Sequence, residues 1–444
     1  MQNSLLALFD PAVGVSTDTR TLQPQQLFFA LRGPSFDGNT YAAAALAAGA
    51  GRVIVDDKSV LVEEDERYIL VPDALTALQD LARSYRRTWT IPVIALTGSN
   101  GKTTTKELLT LALSTTYEVA ATTGNLNNHI GVPLTLLSVQ HDAEVVVIEL
   151  GANHQGEIAE LCRIAEPTHG FITNIGRAHL EGFGGTEGVK RGKGELFDYL
   201  SYRGGVSFVD ACDSVVWEVS QRVDSRIVHT TSADCMDRVA MKQDQPVRIE
   251  ANLLSEWPSA RFELRVGQQS SSVQLQLPGA HNYRNACLAA AVASYFKVTT
   301  PKLVQALSSY TPDNARSEVR EWGGAAVLFD VYNANPDSVA VALDWLASRT
   351  EGTKVAVLGE MAELGAFAKT AHEQVLAKAA KIPQLQLALL GQVYEDLDGP
   401  HRCFQSPQEV AHWLTNTIIA DDTAILIKGS RSNRLERVLG ISEV

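Results

Sequence analysis

Val93-Ile94-Ala95-Leu96 runs directly into Thr97-Gly98-Ser99-Asn100-Gly101-Lys102-Thr103-Thr104, and a helical pattern begins near Lys102. No other stretch restricts the fold so tightly. A short, wholly apolar run reads as a strand buried on both faces, as in a parallel sheet. The glycines Gly98 and Gly101 let backbone N–H groups turn toward an anion, and a helix N-terminus adds partial positive charge. Lys102 supplies a cation for phosphate, and the Thr103 hydroxyl can ligate Mg2+. The usual phosphate loop has a glycine five residues before its Gly-Lys pair. Here that position is Leu96, so the loop is a shortened variant.

The same pattern recurs along the chain. Residues 144–150 and 170–173 read as further buried strands with helices between them, which favours a βαβ layout. Before them lie short strands at 26–31, 53–55 and 68–71, an alanine-rich helix over 42–50 and a helix over 74–87. Thr88-Trp89-Thr90-Ile91-Pro92 reads as a crossover. From about 210 to 277 the pattern alternates, as in Arg261-Phe262-Glu263-Leu264-Arg265-Val266. That predicts antiparallel strands added to the sheet, closed by a helix over 283–296. A third segment starts near Thr311-Pro312-Asp313 and carries four strands, at 326–329, 354–358, 387–390 and 424–427. The expected class is α/β with three domains, over 1–90, 91–310 and 311–444. A chain of 444 residues accommodates that at about 150 residues per domain.

In open α/β sheets, ligands bind beyond the carboxyl ends of the strands. Several of these strands end in polar clusters: Glu149-Leu150-Gly151-Ala152-Asn153, Thr173-Asn174-Ile175-Gly176, the residues from Asp330 to Pro336, and Lys428-Gly429-Ser430-Arg431. They occur in both the second and third segments, so a site between two domains is expected.

Composition narrows the partners. Lys and Arg total 38 against 51 Asp and Glu, a net charge of −13. That argues against sequence-independent binding of nucleic acid or anionic membrane. Cys162, Cys212, Cys235, Cys287 and Cys403 are scattered without a Cys-x-x-Cys pair, so buried free thiols in a reducing compartment are expected. No positively charged leader precedes Leu5-Leu6-Ala7-Leu8-Phe9, and no apolar run is long enough to span a bilayer. A soluble cytoplasmic protein is expected. Without a Gly-x-Ser-x-Gly elbow or a recognisable cysteine nucleophile, Ser/His/Asp and Cys/His catalysis have no support.

Chemistry alone leaves the candidates two-sided. Glu149 ends an apolar strand, where a carboxylate is costly without a partner; Mg2+ opposite Thr103 or a helix cap would answer. His179, just past another strand end, is a ligand or a structural histidine. Lys193, in Gly192-Lys193-Gly194-Glu195, reads as solvated. Asp330 and Asn333 to Asn335 either bind a ligand or cap the helix that Pro336 opens. Lys428, Ser430 and Arg431 form an anion-binding set or a solvated loop. His281 and Asn282 read as caps before a helix.

The phosphate loop resembles the ATP loop of the Mur ligases. Gly124-Asn125-Leu126-Asn127-Asn128-His129-Ile130-Gly131-Val132-Pro133-Leu134-Thr135 narrows the match. So do Glu149 to Asn153, Ala178-His179-Leu180-Glu181-Gly182-Phe183-Gly184 and Tyr332-Asn333-Ala334-Asn335-Pro336-Asp337-Ser338. Ser16-Thr17-Asp18-Thr19-Arg20, with Leu27 to Gly33, extends it over essentially the whole chain. The resemblance implies an N-terminal α/β UDP-binding domain, a central P-loop mononucleotide-binding ATPase domain and a C-terminal Rossmann-like doubly wound domain. It implies a ligase of cytoplasmic peptidoglycan precursor synthesis. ATP phosphorylates the terminal carboxylate of a UDP-N-acetylmuramoyl-tripeptide, and the amine of D-alanyl-D-alanine attacks the acyl phosphate.

By the same resemblance, residues 98–104 (Gly98, Ser99, Asn100, Gly101, Lys102, Thr103, Thr104) hold ATP, with Asn282 and Asn285 near the adenine. Arg316 and Asp330 reach the nucleotide when the domains close. Thr103, Glu149 and His179 match ligands of two Mg2+ ions. Lys193 matches a lysine that carries CO2 as a carbamate; Lys102, Glu149, His179 and Lys193 are thus the implied catalytic set. Thr17, Thr19, Arg20, Asn125, Asn128 and His129 match the UDP-substrate side. Tyr332, Asn333, Asn335, Lys428, Ser430 and Arg431 match the dipeptide side. A monomer is implied. Two departures stand out: Phe329-Asp330-Val331 where the family has Asp-Asp-Ser/Thr, and Gly359-Glu360-Met361 where it has Gly-Asp-Met. The rival readings are a sister ligase taking another amine, a P-loop switch that joins nothing, and an idle UDP-sugar-binding protein.

Overall fold

β1 (Val15–Ser16) and β2 (Leu27–Phe29) begin the first sheet of the computed structural model. It describes residues 5–235, 249–312, 315–349, 352–397, 402–417 and 422–441, so Asp313, at the expected third boundary, lies outside the described residues. A small hairpin, β3 (Arg32–Gly33) and β4 (Phe36–Asp37), leaves the sheet. β5 (Arg52–Val55) and β6 (Tyr68–Leu70) complete it in the parallel order β1-β2-β5-β6. The helix Ala74–Arg86 follows, started by Asp73, whose side chain accepts from the Thr76 N–H at 2.6 Å. It buries Leu78, Leu81, Ala82 and Tyr85 on one face, as 3.6-residue spacing requires.

The second sheet is wholly parallel. Its strands are β7 (Val93–Thr97), β8 (Val119–Ala121), β9 (Val145–Glu149), β10 (His169–Ile172), β11 (Val206–Asp210) and β12 (Ser225–His229). They lie in the order β12-β11-β10-β7-β9-β8. Every residue of β7 and β9 is buried, which accounts for their unbroken apolar runs.

One expectation about this sheet needs correction. The alternating strands do not extend it. β13 (Ile249–Ser255), β14 (Arg261–Val266) and β15 (Gln269–Gln274) form their own antiparallel sheet. A bridge between Thr230 and Glu250 ties it to the end of β12. Phe262, Leu264 and Val273 share a core with Tyr283, Ala286 and Ala290 of the helix Ala280–Tyr295, while the alternate residues are more exposed. That one-sided burial produced the alternation. Because this helix starts at Ala280, His281 and Asn282 lie in its first turn, not before it; the N-cap is Gly279.

The cysteine expectation is also corrected in part. Cys212 and Cys235 are disulfide-bonded, with Cα atoms 5.3 Å apart. β11 and β12 are parallel neighbours, so the loops leaving their ends run side by side and bring the two residues together. Cys162 and Cys287 are buried free thiols; Cys403 is partly exposed.

The third sheet has six strands where four were legible. These are β16 (Glu318–Trp322), β17 (Ala325–Asp330), β18 (Lys354–Gly359), β19 (Leu385–Leu390), β20 (Arg402–Phe404) and β21 (Ala424–Lys428). The order is β16-β17-β21-β18-β19-β20, with β16 antiparallel to β17 and the other pairs parallel. The unforeseen strands are the two edges. β16 carries Glu318, Arg320 and Glu321 with no fully buried residue, and β20 has three residues. Among the described residues no helix is long and apolar enough to cross a membrane.

Candidate active site

The carboxyl ends of the second and third sheets face one cleft of about 950 Å³. Its walls include residues 99–104, Glu149, Asn153, Asn174, His179, Asn282, Asn285, Arg316, Asp330 and Tyr332. The phosphate loop leaves β7 and enters the helix Lys102–Ser114 through Gly101. Gly101 sits at φ 77°, and a Cβ there would lie 2.5 Å from Asn285 Oδ1, so only glycine lets helix and loop approach. Asn174 braces the loop from β10: its Oδ1 accepts from the Asn100 N–H at 3.0 Å, and its Nδ2 donates to the Asn100 carbonyl at 2.9 Å.

Lys102 Nζ donates to the Gly98 carbonyl at 2.8 Å. Burial pushes its pKa down, Arg316 pushes the same way, and Glu149 opposes them. A polyanion here would restabilise the ammonium.

Glu149, 2% exposed, closes β9. Its Oε1 accepts from Asn127 Nδ2 at 2.8 Å and from the Thr103 hydroxyl at 3.5 Å. Its Oε2 has no hydrogen-bond partner; the nearest cation is Lys106 Nζ at 3.9 Å. An orphaned buried carboxylate oxygen beside a loop threonine suits a hard divalent cation such as Mg2+. Glu149 caps no helix. No three His, Cys, Asp or Glu side chains among the described residues gather into a cage. His179 lines the same cleft, but its Nδ1 lies 2.5 Å from Glu363 Oε2 of the third domain.

Lys193 is not solvated. It is wholly buried in the helix Thr186–Arg203, donates to the Ala152 carbonyl at 3.2 Å and lies 5.0 Å over the Phe183 ring. Burial, with the positive charge of Lys102, drives its pKa well below the ordinary lysine value. A neutral amine is the form that adds to CO2.

The other expected residues divide. Asn125, Asn128 and His129 line the cleft; Thr17, Thr19 and Arg20 do not, and Arg20 is exposed and forked onto Asp18 at 2.6 Å. Tyr332, Asn333, Asn335 and Lys428 line it; Ser430 and Arg431 do not. Lys428 is no open anion site, because its Nζ binds Asp330 Oδ2 at 2.7 Å and the Asn333 carbonyl at 3.0 Å. Ser430 Oγ accepts from the Ala362 N–H at 2.9 Å. Arg316 and Arg431 lie over the Tyr332 ring, at 3.7 and 5.4 Å. Asn335 is an N-cap after all, and it also reaches the phosphate loop. Asn282 Nδ2 donates to the Pro278 carbonyl at 2.8 Å.

Sequence reasoning missed Asn127, Lys106 and Glu363 as site neighbours, and it noted Asn174 only as part of a polar strand end. Asn127 stood inside the asparagine-rich motif. Lys106 lies four residues after Lys102, on the same helix face. Nothing local marked Glu363.

Comparison with known proteins agrees with this geometry. Residues 12–86 match the Mur ligase family catalytic domain, 96–293 the Mur ligase middle domain and 315–431 the Mur ligase glutamate ligase domain. The chain is 36% identical to the UDP-N-acetylmuramoyl-tripeptide–D-alanyl-D-alanine ligase of Escherichia coli K12, over 96% of this chain and 92% of that one. It is 34% identical to the Bacillus subtilis ligase of the same name, over 81% and 76%. A crystal structure of MurF from Acinetobacter baumannii superposes with a TM-score of 0.83 at 32% identity, covering 96% of this chain and 92% of that one. MurF from Thermotoga maritima, solved with ADP, gives 0.82 at 26% identity, covering 97% of both chains. The chain belongs to the Mur ligase family, in its branch of UDP-N-acetylmuramoyl-tripeptide–D-alanyl-D-alanine ligases.

Proposed function

We propose that the chain is the cytoplasmic ATP-dependent ligase that joins D-alanyl-D-alanine to UDP-N-acetylmuramoyl-tripeptide, giving the UDP-linked pentapeptide, ADP and phosphate. The observation that carries this beyond kinship is one cleft holding the phosphate loop, the orphaned Glu149 oxygen and side chains of the third domain. The tripeptide carboxylate attacks the γ-phosphorus, and ADP leaves. The dipeptide amine then adds to the acyl carbon, and phosphate leaves with the C–O bond. Two anions must meet, so the work of the chain is positioning and charge neutralisation. Lys102 and the loop N–H groups hold the phosphates. Asn282 and Asn285 lie toward the base, and Arg316 and Asp330 approach from the third domain.

Thr103, Glu149 and His179 are the residues that would hold Mg2+, which supplies Lewis-acid polarisation of the phosphoryl oxygens when bound. Lys193, as its carbamate, would add a buried anion in support. Residues 1–90 are proposed as the UDP-substrate domain, with Thr17, Thr19, Arg20, Asn125, Asn128 and His129 on its side of the substrate. Residues 91–310 are the proposed ATP domain and 311–444 the dipeptide side, where Tyr332, Asn333, Asn335, Ser430 and Arg431 stand; Lys428 organises that wall through Asp330. A monomer is proposed.

The test is phosphate release from Mg2+-ATP with tripeptide alone, dipeptide alone, both, and free D-alanine or diaminopimelate in place of the dipeptide. Release only with tripeptide and dipeptide together is expected. Release with another amine would move the chain to a sister activity, and release without any acceptor would make it a switch.

A further inference from the structure

Arg177 belongs to the second domain, in the loop after β10, yet its side chain and main chain are both held by the third. Its backbone N–H donates to Asp337 Oδ2 at 2.7 Å and its Nε to Asp337 Oδ1 at 2.8 Å. Its Nη2 lies 2.7 Å from Asp337 Oδ1, and its Nη1 donates to Gln374 Oε1 at 2.6 Å. The residue before it, Gly176, is tied to the phosphate loop: its N–H donates to Ser99 Oγ at 2.9 Å, and that hydroxyl donates to the Gly176 carbonyl at 3.1 Å. A Cβ on Gly176 would stand 2.6 Å from Asp337 Oδ2, so the carboxylate sits directly against this backbone.

Asp337 lies in the first turn of the helix Pro336–Ala347. Two residues earlier, the N-cap Asn335 spends its Oδ1 on the Ser338 N–H and donates its Nδ2 to Asn100 Oδ1 at 2.6 Å. One helix head therefore grips the phosphate loop twice. Asn335 touches Asn100 directly. Asp337 reaches Ser99 through Arg177 and Gly176. Arg177 and Asp337 are both about one-third exposed, so the pair adds little to folding stability. Its three contacts, with a fourth from Arg177 to Gln374, fix one loop as a geometric feature.

We infer that Arg177 and Asp337 are positioning residues that lock the third domain onto the phosphate loop and so set the loop for phosphoryl transfer. This rests on the ligase reading above. Docking then does more than cover the cleft: it fixes Ser99 and Asn100, which line the cleft within the phosphate loop.

The test compares wild type with Arg177→Ala, Arg177→Lys and Asp337→Asn in the tripeptide–dipeptide assay. Thermal midpoints and small-angle scattering with a non-hydrolysable ATP analogue complete it. Arg177→Ala is expected to lower kcat about ten- to a hundredfold. KM for the tripeptide and the thermal midpoint should stay unchanged, and the radius of gyration with the analogue should exceed that of wild type. Arg177→Lys, which keeps the charge, should recover part of kcat. If Arg177→Ala unfolds, the isosteric Asp337→Asn carries the same expectation. Wild-type kcat and scattering in the folded variants overturn the lock. A wild-type protein that releases no phosphate with both acceptors would instead overturn the ligase reading itself.

Discussion

A lysine at 0% exposure with one carbonyl as its hydrogen-bond partner is hard to explain by stability alone. Desolvation disfavours the ammonium of Lys193, and the Phe183 face offsets only part of that. The depressed pKa keeps more of the amine neutral. Its nitrogen can then bond to the carbon of CO2 and release a proton, which replaces the neutral amine by an anion near Glu149. Lys193→Ala is therefore expected to lose activity about a hundredfold, the scale on which support of a metal site is felt. Formate or acetate should restore part of it. Full activity in the unsupplemented variant would sink the carbamate. From its neighbours Gly192, Gly194 and Glu195 this lysine looked solvated. Its burial arises from Ala152 and Phe183, which are distant in sequence, so only the family resemblance pointed to it. Thr103 and Glu149 were legible because a strand end and a helix start are local events.

At the level of elements, what could be read followed burial. β7, β9, β18 and β21 are buried along every residue and stood out as apolar runs. β16 and β20 are edges, and edges carry the charges that blur a strand pattern. β10 hides a further consequence at its first residue. The His169 ring lies among Phe208, Tyr295 and Phe296, with centroids 6.2, 5.5 and 5.1 Å away, and its Nδ1 is 2.8 Å from Thr168 Oγ1. Burial lowers its pKa to about 4, and His281 is lowered to about 4 for the same leading reason. The unfolded chain takes up these protons near pH 6.5, the folded chain only near 4. Stability is thus complete above pH 6.5 and is lost as pH falls toward 4, by up to about 3 kcal/mol per group. His169→Phe keeps the ring packing and removes one of the two protons. Its midpoint should fall less steeply than that of wild type between pH 6.5 and 4; an unchanged slope would show that His169 is already hydrated in the native state.

Across the whole molecule, one continuous core links the sheets: Phe29, Leu78 and Tyr85 of the first domain, Val93 and Ile148 of the second, and Leu343 and Leu358 of the third belong to it. The sequence marked Thr88 to Pro92 as a crossover but held no sign of this docking, because side chains that meet across domains leave no periodic trace. Arg86 is the polar centre of the first junction. It is 6% exposed, and its Nε and Nη2 donate to the carbonyls of Ala165 and Glu166 at 3.0 and 2.8 Å. Those carbonyls end the helix Glu157–Ala165, where Glu166 turns left-handed at φ 41°. Arg86 thus satisfies orphan helix carbonyls and meets the negative end of the helix dipole. Arg86→Ala leaves one buried and one part-buried acceptor without donors, at a cost of about 3 kcal/mol. The expected result is a thermal midpoint lower by about 5 °C. An early transition should separate, and on the proposed placement of the UDP-linked tripeptide across both domains it should move back upward with that ligand by mass action. A single transition at the wild-type temperature would mean that the apolar contacts alone hold the first domain in place.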